Sequence, residues 1–275
     1  MSDKKVLTIQ DISCTGQCSL TVALPIISAC GIETAVIPSA VLSNHTAFPH
    51  FTFKDLTNEL PKIRQSWNQQ GINFSAIYTG YLGSSEQIAQ VKQIMADCID
   101  ENGLKIVDPA MADGGKLYTG FDMEYVEKMK ELCLEADIIL PNITEACLMT
   151  DTEYLQNFDC DYVEKLITRL ASRFSAKIIL TGVGFSQDKT GVAVYDGNFI
   201  QYYQHSKMGG GSHGTGDVYA SAFVGAIMRG KSLYDSARIA ADFTLLCIKN
   251  TLDHPNHWYG VRFEQHLADL IDMLK

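Results

Sequence analysis

"GGGSHGTGDVYASAF" spans residues 209–223, and the choice of fold turns on what that loop is built to hold. Five of its first eight residues are glycine, and Asp217 then opens an apolar run of helical character. Glycine-rich loops leading into helices bring backbone N–H groups and the positive helix end to an anion, usually phosphate. A carboxylate at that place needs a reason. Gly209-x-Gly211-x-x-Gly214 meets the spacing of a dinucleotide fingerprint, and Asp235 follows at about the expected 20 residues. In that fingerprint the acid ends the next strand, whereas Asp235 begins the helical pattern "LYDSARIAADFTLLCIK". Only roughly sixty residues remain after the loop, too few for a dinucleotide-binding half. The P-loop template fails too, because Asp217-Val218 stands where Lys and Ser or Thr should follow Gly216.

Upstream of this loop, short β-type runs alternate with longer helical patterns. Strands are expected at 6–10, 34–37, 76–79, 105–107, 138–140 and 177–180, with helices near 20–30, 55–70, 85–102, 123–134 and 161–174. Gly31, Gly71 and Gly103 stand just past three of these helices, where a left-handed cap is wanted. Such alternation predicts an α/β fold, a mostly parallel sheet with helices on both faces. Residues 191–203, "GVAVYDGNFIQYY", differ: two alternating runs around Asp196-Gly197-Asn198 predict a hairpin serving as an edge extension, a lid or a contact between copies. Three helices near 217–229, 233–249 and 263–274 close the chain. No internal repeat or composition shift divides it, so 1–275 reads as a single domain.

The loops after the strands carry the polar chemistry: "QDIS" (10–13), "SNHT" (43–46), "TGYLGSSE" (79–86), "DPAMADGG" (108–115), "PNITE" (141–145) and "TGVG" (181–184). Loops at the carboxyl ends of parallel strands converge on one crevice. Any one of them is also explained by the turn formers and caps that such connections need. Six together point to a site.

Bulk properties narrow what that site serves. A formal charge of -10 argues against a sequence-independent grip on nucleic acid or an anionic membrane face. The eight cysteines form no C-x-x-C pair and no zinc spacing. The start "MSDKKVLTIQ" has no apolar signal region, and no apolar stretch approaches the ~20 residues of a membrane span. Together these features read as a reduced, cytoplasmic protein whose cysteines are mostly small core hydrophobes.

The puzzle of Asp217 resolves if the loop does two jobs. Backbone amides of Gly214, Thr215 and Gly216 at the helix start suit negative charge that develops during a reaction. Asp217, in the first turn, is placed to take a proton from a hydroxyl attacking phosphorus. The same acid equally suits a capping role on the helix dipole.

With these blocks in order, the chain resembles the ribokinase-like small-molecule kinases through "GTGD" (214–217). "SNHT", "TGYLGS", "DPAM" and "PNITE" resemble the pyridoxal kinases within that superfamily. The resemblance implies a ribokinase-like three-layer α/β/α sandwich, with Asp217 as base and Gly214, Thr215 and Gly216 as anion hole. Thr46 and Tyr81 would meet a pyridine alcohol, with His45 beside them. Asp108 would lie near the phosphates of ATP, Asn142 and Glu145 would organise Mg2+ through its waters, and Thr181 with Gly182 would begin the nucleotide pocket. K+ is a second candidate cation. A homodimer is implied as well.

Alternatives stand beside several of these assignments. Asn142-x-x-Glu145 also fits a capping box, Asp108-Pro109 a common turn opening, and Tyr81 an ordinary half-buried aromatic. Residues 112–120 read as a surface turn or as a flap whose Lys116 meets the triphosphate. Asp11 departs from the better-known family pattern, which has serine at that position facing the ring. A carboxylate there would pair with a protonated ring nitrogen or an amino group, with Ser13 supplying the displaced hydroxyl. The expected activity is therefore ATP-dependent phosphorylation of the 5'-hydroxymethyl group of pyridoxal, pyridoxamine or pyridoxine. The alternatives are the hydroxymethylpyrimidine (phosphate) kinase step of thiamine synthesis, or a sensor that binds without turnover.

Overall fold

A computed structural model describes residues 4–209 and 213–275. The chain alternates strand and helix almost as its periodicity predicts. β1 (Lys5–Ser13) leads to α1 (Leu20–Ala29), β2 (Glu33–Leu42) and the short edge strand β3 (Phe53–Asp55). Next come α2 (Leu60–Gln70), β4 (Phe74–Thr79), α3 (Ser85–Asp97) and β5 (Ile99–Val107). A small hairpin, β6 (Ala112–Asp113) with β7 (Lys116–Leu117), precedes α4 (Met123–Cys133), β8 (Ile138–Ile139), α5 (Ile143–Met149), α6 (Cys160–Arg173) and β9 (Lys177–Thr181). The expected hairpin is β10 (Lys189–Tyr195) with β11 (Ile200–Ser206), followed by α7 (Thr215–Met228), α8 (Leu233–Leu252) and α9 (Leu267–Met273).

One nine-stranded sheet runs in the order β11-β10-β9-β8-β5-β4-β1-β2-β3. From β9 to β2 all pairings are parallel, while β3, β10 and β11 add antiparallel edges. The 191–203 hairpin thus extends one edge of the sheet. Its turn is fastened by Asp196 Oδ1, which accepts N–H bonds from Asn198 and Phe199 at 2.8 and 2.9 Å. Strand pleating sends alternate residues to two cores. Leu7 and Ile9 pack with α2 to α6 on one face, while Val6, Ala76 and Tyr78 pack with α1, α7, α8 and α9 on the other.

Two expectations need correction. The helix expected over 85–102 ends at Asp97, and Gly103 caps nothing. Ile99 and Leu104 of β5 pair with Phe74 and Ala76 of β4, so surplus β5 residues bulge between those partners. At Gly103 a Cβ would stand 2.6 Å from Ile99 Cγ1, so glycine is required by packing within the bulge. The helix expected over 55–70 starts at Leu60, after β3 and a 3-10 turn over Thr57–Glu59; Pro61 suits that first turn. Gly31 and Gly71 do take left-handed φ values of 76° and 64°.

The chain leaves β1 for β2 on one side and returns to β4 on the other. That reversal opens a crevice above the carboxyl ends of β1 and β4, the ordinary ligand position in open α/β sheets. Of the eight cysteines, six are buried, Cys160 is half-buried and Cys14 is exposed.

Candidate active site

The helix that carries Asp217 is seated by its own apolar face, since Val218 to Ala226 of α7 are buried. Its N-cap, Gly214, has φ 78°, and a Cβ there would lie 2.1 Å from the Gln17 carbonyl oxygen. A side chain is therefore excluded twice over, by backbone conformation and by the neighbouring strand-end loop. Among the described residues, nothing stands within 4 Å of a Cβ at Gly216. Gly211, part of the fingerprint considered from sequence, lies outside the described residues.

Asp217 is half-exposed to the crevice but ringed by protein, and this desolvation pushes its carboxyl up to about 7. The nearby charge of Asp11 adds to the rise, and the Ser19 backbone N–H, which bonds to the carboxylate, opposes it. Ser19 caps α1 at φ 50°, a left-handed conformation that costs a non-glycine residue energy. Its hydroxyl also reaches Asp11, so one residue touches both acids.

Asp11 ends the unbroken buried run of β1 at 6% exposure; burial raises its carboxyl, and the Ser19 and Ser13 hydroxyls partly offset that. Tyr81 faces the same space: burial, then the Asp11 charge, raises its phenol. Cys18 lies among them, its thiol raised by burial and by Asp217 and Asp11. His45 accepts an N–H bond from Ala47 at Nδ1, 3.0 Å, which puts the proton of the neutral ring on Nε2. Burial and then His213 hold that ring below its ordinary pKa, and the two imidazole centroids are 4.8 Å apart. Through His213 the 43–46 loop meets the residue preceding Gly214. Thr46 is exposed beside it.

On the other side of Asp217, Asp108 follows β5, its N–H bonded to the Thr79 carbonyl. Its carboxyl is raised well above the usual range, first by burial, then by Glu145 and Asp217. The capping box read in "PNITE" is complete. Asn142 Oδ1 accepts the Glu145 N–H and Glu145 Oε2 accepts the Asn142 N–H, both at 2.9 Å. Glu145 Oε1 takes two more N–H bonds, from Met111 at 3.1 Å and Ala112 at 3.4 Å, and Asn142 Nδ2 donates to the Ala112 carbonyl. Burial nevertheless lifts Glu145 to about 8. Thr181 pairs with Asn142 in an isolated bridge, and Gly182 follows it at φ 77°, where a Cβ would meet only Ile143 Cγ1, at 4.0 Å. Lys116 is exposed on β7.

This acid set fits a divalent cation held largely by substrate oxygens and water. After burial, the charge of Glu145 raises the Asp108 carboxyl, and a bound cation would relieve that repulsion. Yet no group of three or more acids, histidines or cysteines could cage a metal among the described residues. Mg2+ suits such a site, keeping its waters and using one or two carboxylates plus phosphate oxygens.

Three contributors escaped the sequence reading. Ser19 belongs to no motif, and only the fold carries its N–H to Asp217. Tyr118 lies within the stretch read as a surface turn or a flap; its phenol is raised by burial and then by Glu145, Asp108, Asp113 and Asp217. Gln17 packs its carbonyl against Gly214 with no signal beyond a polar loop.

A family model described as phosphomethylpyrimidine kinase matches residues 27–261. Pyridoxal kinase of Dictyostelium discoideum is 28% identical over 263 residues, which cover 90% of this chain and 83% of that protein. A Bacteroides thetaiotaomicron protein classed with the phosphomethylpyrimidine kinases and crystallised with pyridoxal is 36% identical. It superposes with a TM-score of 0.92, covering 98% of this chain and 96% of its own. Pyridoxal kinase of Lactobacillus plantarum, 29% identical, superposes at 0.91 over 99% of this chain and 98% of its own. The three-layer sandwich described above is the ribokinase-like fold of these proteins.

Proposed function

Because this chain belongs to the phosphomethylpyrimidine kinase family, we propose that it transfers the γ-phosphoryl group of ATP to the 5'-hydroxymethyl group of a B6 vitamer. The observation that carries this reading is one carboxyl, Asp217, held at about 7 between two half-sites. Asp11, Ser13 and Tyr81 lie on one side of it, Asp108 and Glu145 on the other. A general base near neutrality is ionised in a useful fraction of molecules and still basic enough to accept a proton.

The alcohol binds above β1 and β4 with its ring near Tyr81, His45 and Thr46, its hydroxyl toward Asp217. ATP lies over Asn142, Thr181 and Gly182, with Lys116 on the flap reaching its phosphates. Asp217 takes the hydroxyl proton as the oxygen bonds to the γ-phosphorus and the bridging bond to ADP breaks. The Gly214, Thr215 and Gly216 amides hold charge on the group in transit, so positioning and electrostatics supply most of the rate. Asp108 and, through water, Glu145 would hold Mg2+, which would neutralise triphosphate charge; K+ is a second cation in this reading. The working protein is a cytoplasmic homodimer of one kinase domain spanning 1–275, without nucleic-acid or membrane partners. No helix among the described residues is long and apolar enough to cross a membrane.

Asp11 favours a second reading. A buried carboxylate suits an aminopyrimidine as well as a protonated pyridine or an aminomethyl group. The test is ADP release with ATP, Mg2+ and each alcohol in turn: pyridoxal, pyridoxamine, pyridoxine and hydroxymethylpyrimidine. Turnover of a B6 vitamer is the expected result. Turnover of the pyrimidine alone would transfer the activity to thiamine synthesis, and binding without turnover would leave a sensor.

A further inference from the structure

Tyr125 lies in the first turn of α4, where Asp122 Oδ1 accepts its N–H at 2.9 Å. It is 3% exposed, and its hydroxyl donates to the Leu82 carbonyl at 2.7 Å, immediately after Tyr81 in the chain. Both ends of this side chain are therefore pinned. Phe121 stacks on it with centroids 3.8 Å apart and planes 5° from parallel. Phe121 also stacks with Tyr81, at 5.4 Å and 26°. A ring at the alcohol pocket thus leans on a ring whose own position is set by a fixed base.

Phe121 belongs, however, to the loop descending from the flap. Its N–H donates to the Tyr118 carbonyl at 3.1 Å, and the Tyr118 N–H donates to Met111 at 2.9 Å, next to the Ala112 strand of the β6–β7 hairpin. The flap is rooted by Glu145 and Asn142, whose side chains bond the Ala112 N–H and carbonyl. One aromatic ring therefore joins Tyr81 to the 112–120 segment.

We propose that Phe121 is a positioning residue that couples the two half-sites: settling the flap over nucleotide sets the plane of Tyr81, and a ring bound against Tyr81 in turn steadies the flap. Such coupling is reciprocal, since each ligand must change the affinity of the other by the same factor. The inference rests on the functional reading above, because it takes the two ligands to be a vitamer and ATP. The stack of Tyr81, Phe121 and Tyr125 is what distinguishes it from simple adjacency, because an aromatic pair has a preferred geometry that an aliphatic side chain of similar bulk lacks.

Calorimetric titration of pyridoxine with and without a non-hydrolysable ATP analogue and Mg2+ tests the proposal on the full-length protein. Wild type should bind pyridoxine about 5-fold tighter or more with the analogue present, within the usual range of coupling between sites. Phe121→Leu should abolish that difference while leaving analogue affinity alone within about twofold, and Phe121→Tyr should keep it. Melting curves of both variants identify any general loss of fold. A structural role for Phe121 would instead lower affinity for each ligand alone and leave the coupling factor unchanged. The inference is overturned if Phe121→Leu keeps the coupling, if Phe121→Tyr loses it alongside Leu, or if folded wild type shows none. A wild-type chain that releases no ADP with any vitamer overturns the functional reading first, whereas an active kinase without Phe121-dependent coupling overturns this inference alone.

Discussion

Two helices begin at the crevice with an acid in the first turn, and the two acids are bonded in opposite ways. At the start of α5, Glu145 accepts three backbone N–H bonds, two of them from the 111–112 segment, and Asn142 closes the box. At the start of α7 no side chain caps the helix; the cap is Gly214 in a left-handed conformation. Asp217 there takes an N–H from Ser19, far away in sequence. Both carboxyls are raised by burial, to about 8 and about 7. The difference lies in what hydrogen bonding leaves over. Glu145 is largely engaged by the backbone N–H groups of Met111, Ala112 and Asn142, whereas Asp217, in the function proposed above, keeps an accepting oxygen for the hydroxyl proton. First-turn acidity says that a helix starts; it does not say whether the acid is fastener or reagent.

The sharpest way to break this contrast is Asp217→Asn. Turnover measured by ADP release should fall by about 10²–10⁴-fold, the usual worth of a general base, with nucleotide binding near normal. Retention of more than a tenth of wild-type activity would reduce Asp217 to a cap like its counterpart. Gly214→Val should cost roughly 100-fold in turnover, about 3 kcal/mol of transition-state binding, by driving a side chain into the Gln17 carbonyl. Normal turnover in that variant would place the anion hole elsewhere.

A pH series reads Asp217 directly. Because the base must be ionised, the rate should climb about tenfold per pH unit below 7 and level off above it. A flat profile between pH 5 and 8 would remove Asp217 from that role.

The smallest effects concern stability and should have opposite signs. Asn142→Ala leaves the Glu145 N–H without its partner and should cost about 1 kcal/mol, a melting decrease of about 2–4 °C by calorimetry. Asp217→Asn should gain a few degrees above pH 7. The Asp217 carboxyl titrates near 7 in the fold but near 3.9 in an unfolded chain, so ionising it inside the fold costs stability. That cost is absent below about pH 4, grows up to pH 7 and is constant beyond it; the Asn variant escapes it. Equal losses in both variants would mean that both acids are fasteners.

Much of this was legible in the sequence because the rules involved are local. The Asn142-x-x-Glu145 box closes within one helical turn, so spacing alone identified it. Gly31 and Gly71 follow the end of a helical pattern, and a left-handed cap asks for nothing beyond the next residue. Gly103 looked the same and was not, because its need for a missing Cβ arises from how β5 registers against β4. Ser19 shows the limit most clearly. Its residue type has no preference for φ 50°, and its bond to Asp217 joins loops from opposite ends of the chain.

By itself the amino-acid order determined the alternation of strand and helix, the two-faced burial of the sheet and the glycine-framed start of α7. All of these follow from side-chain period and backbone freedom over a few consecutive residues. Only the folded chain decided which acids meet, how strongly each is desolvated, and that Phe121 stands between a flap and a ring. Those outcomes depend on distances between segments far apart along the chain. Burial and Coulomb interaction act through space, and no local pattern of residues encodes them.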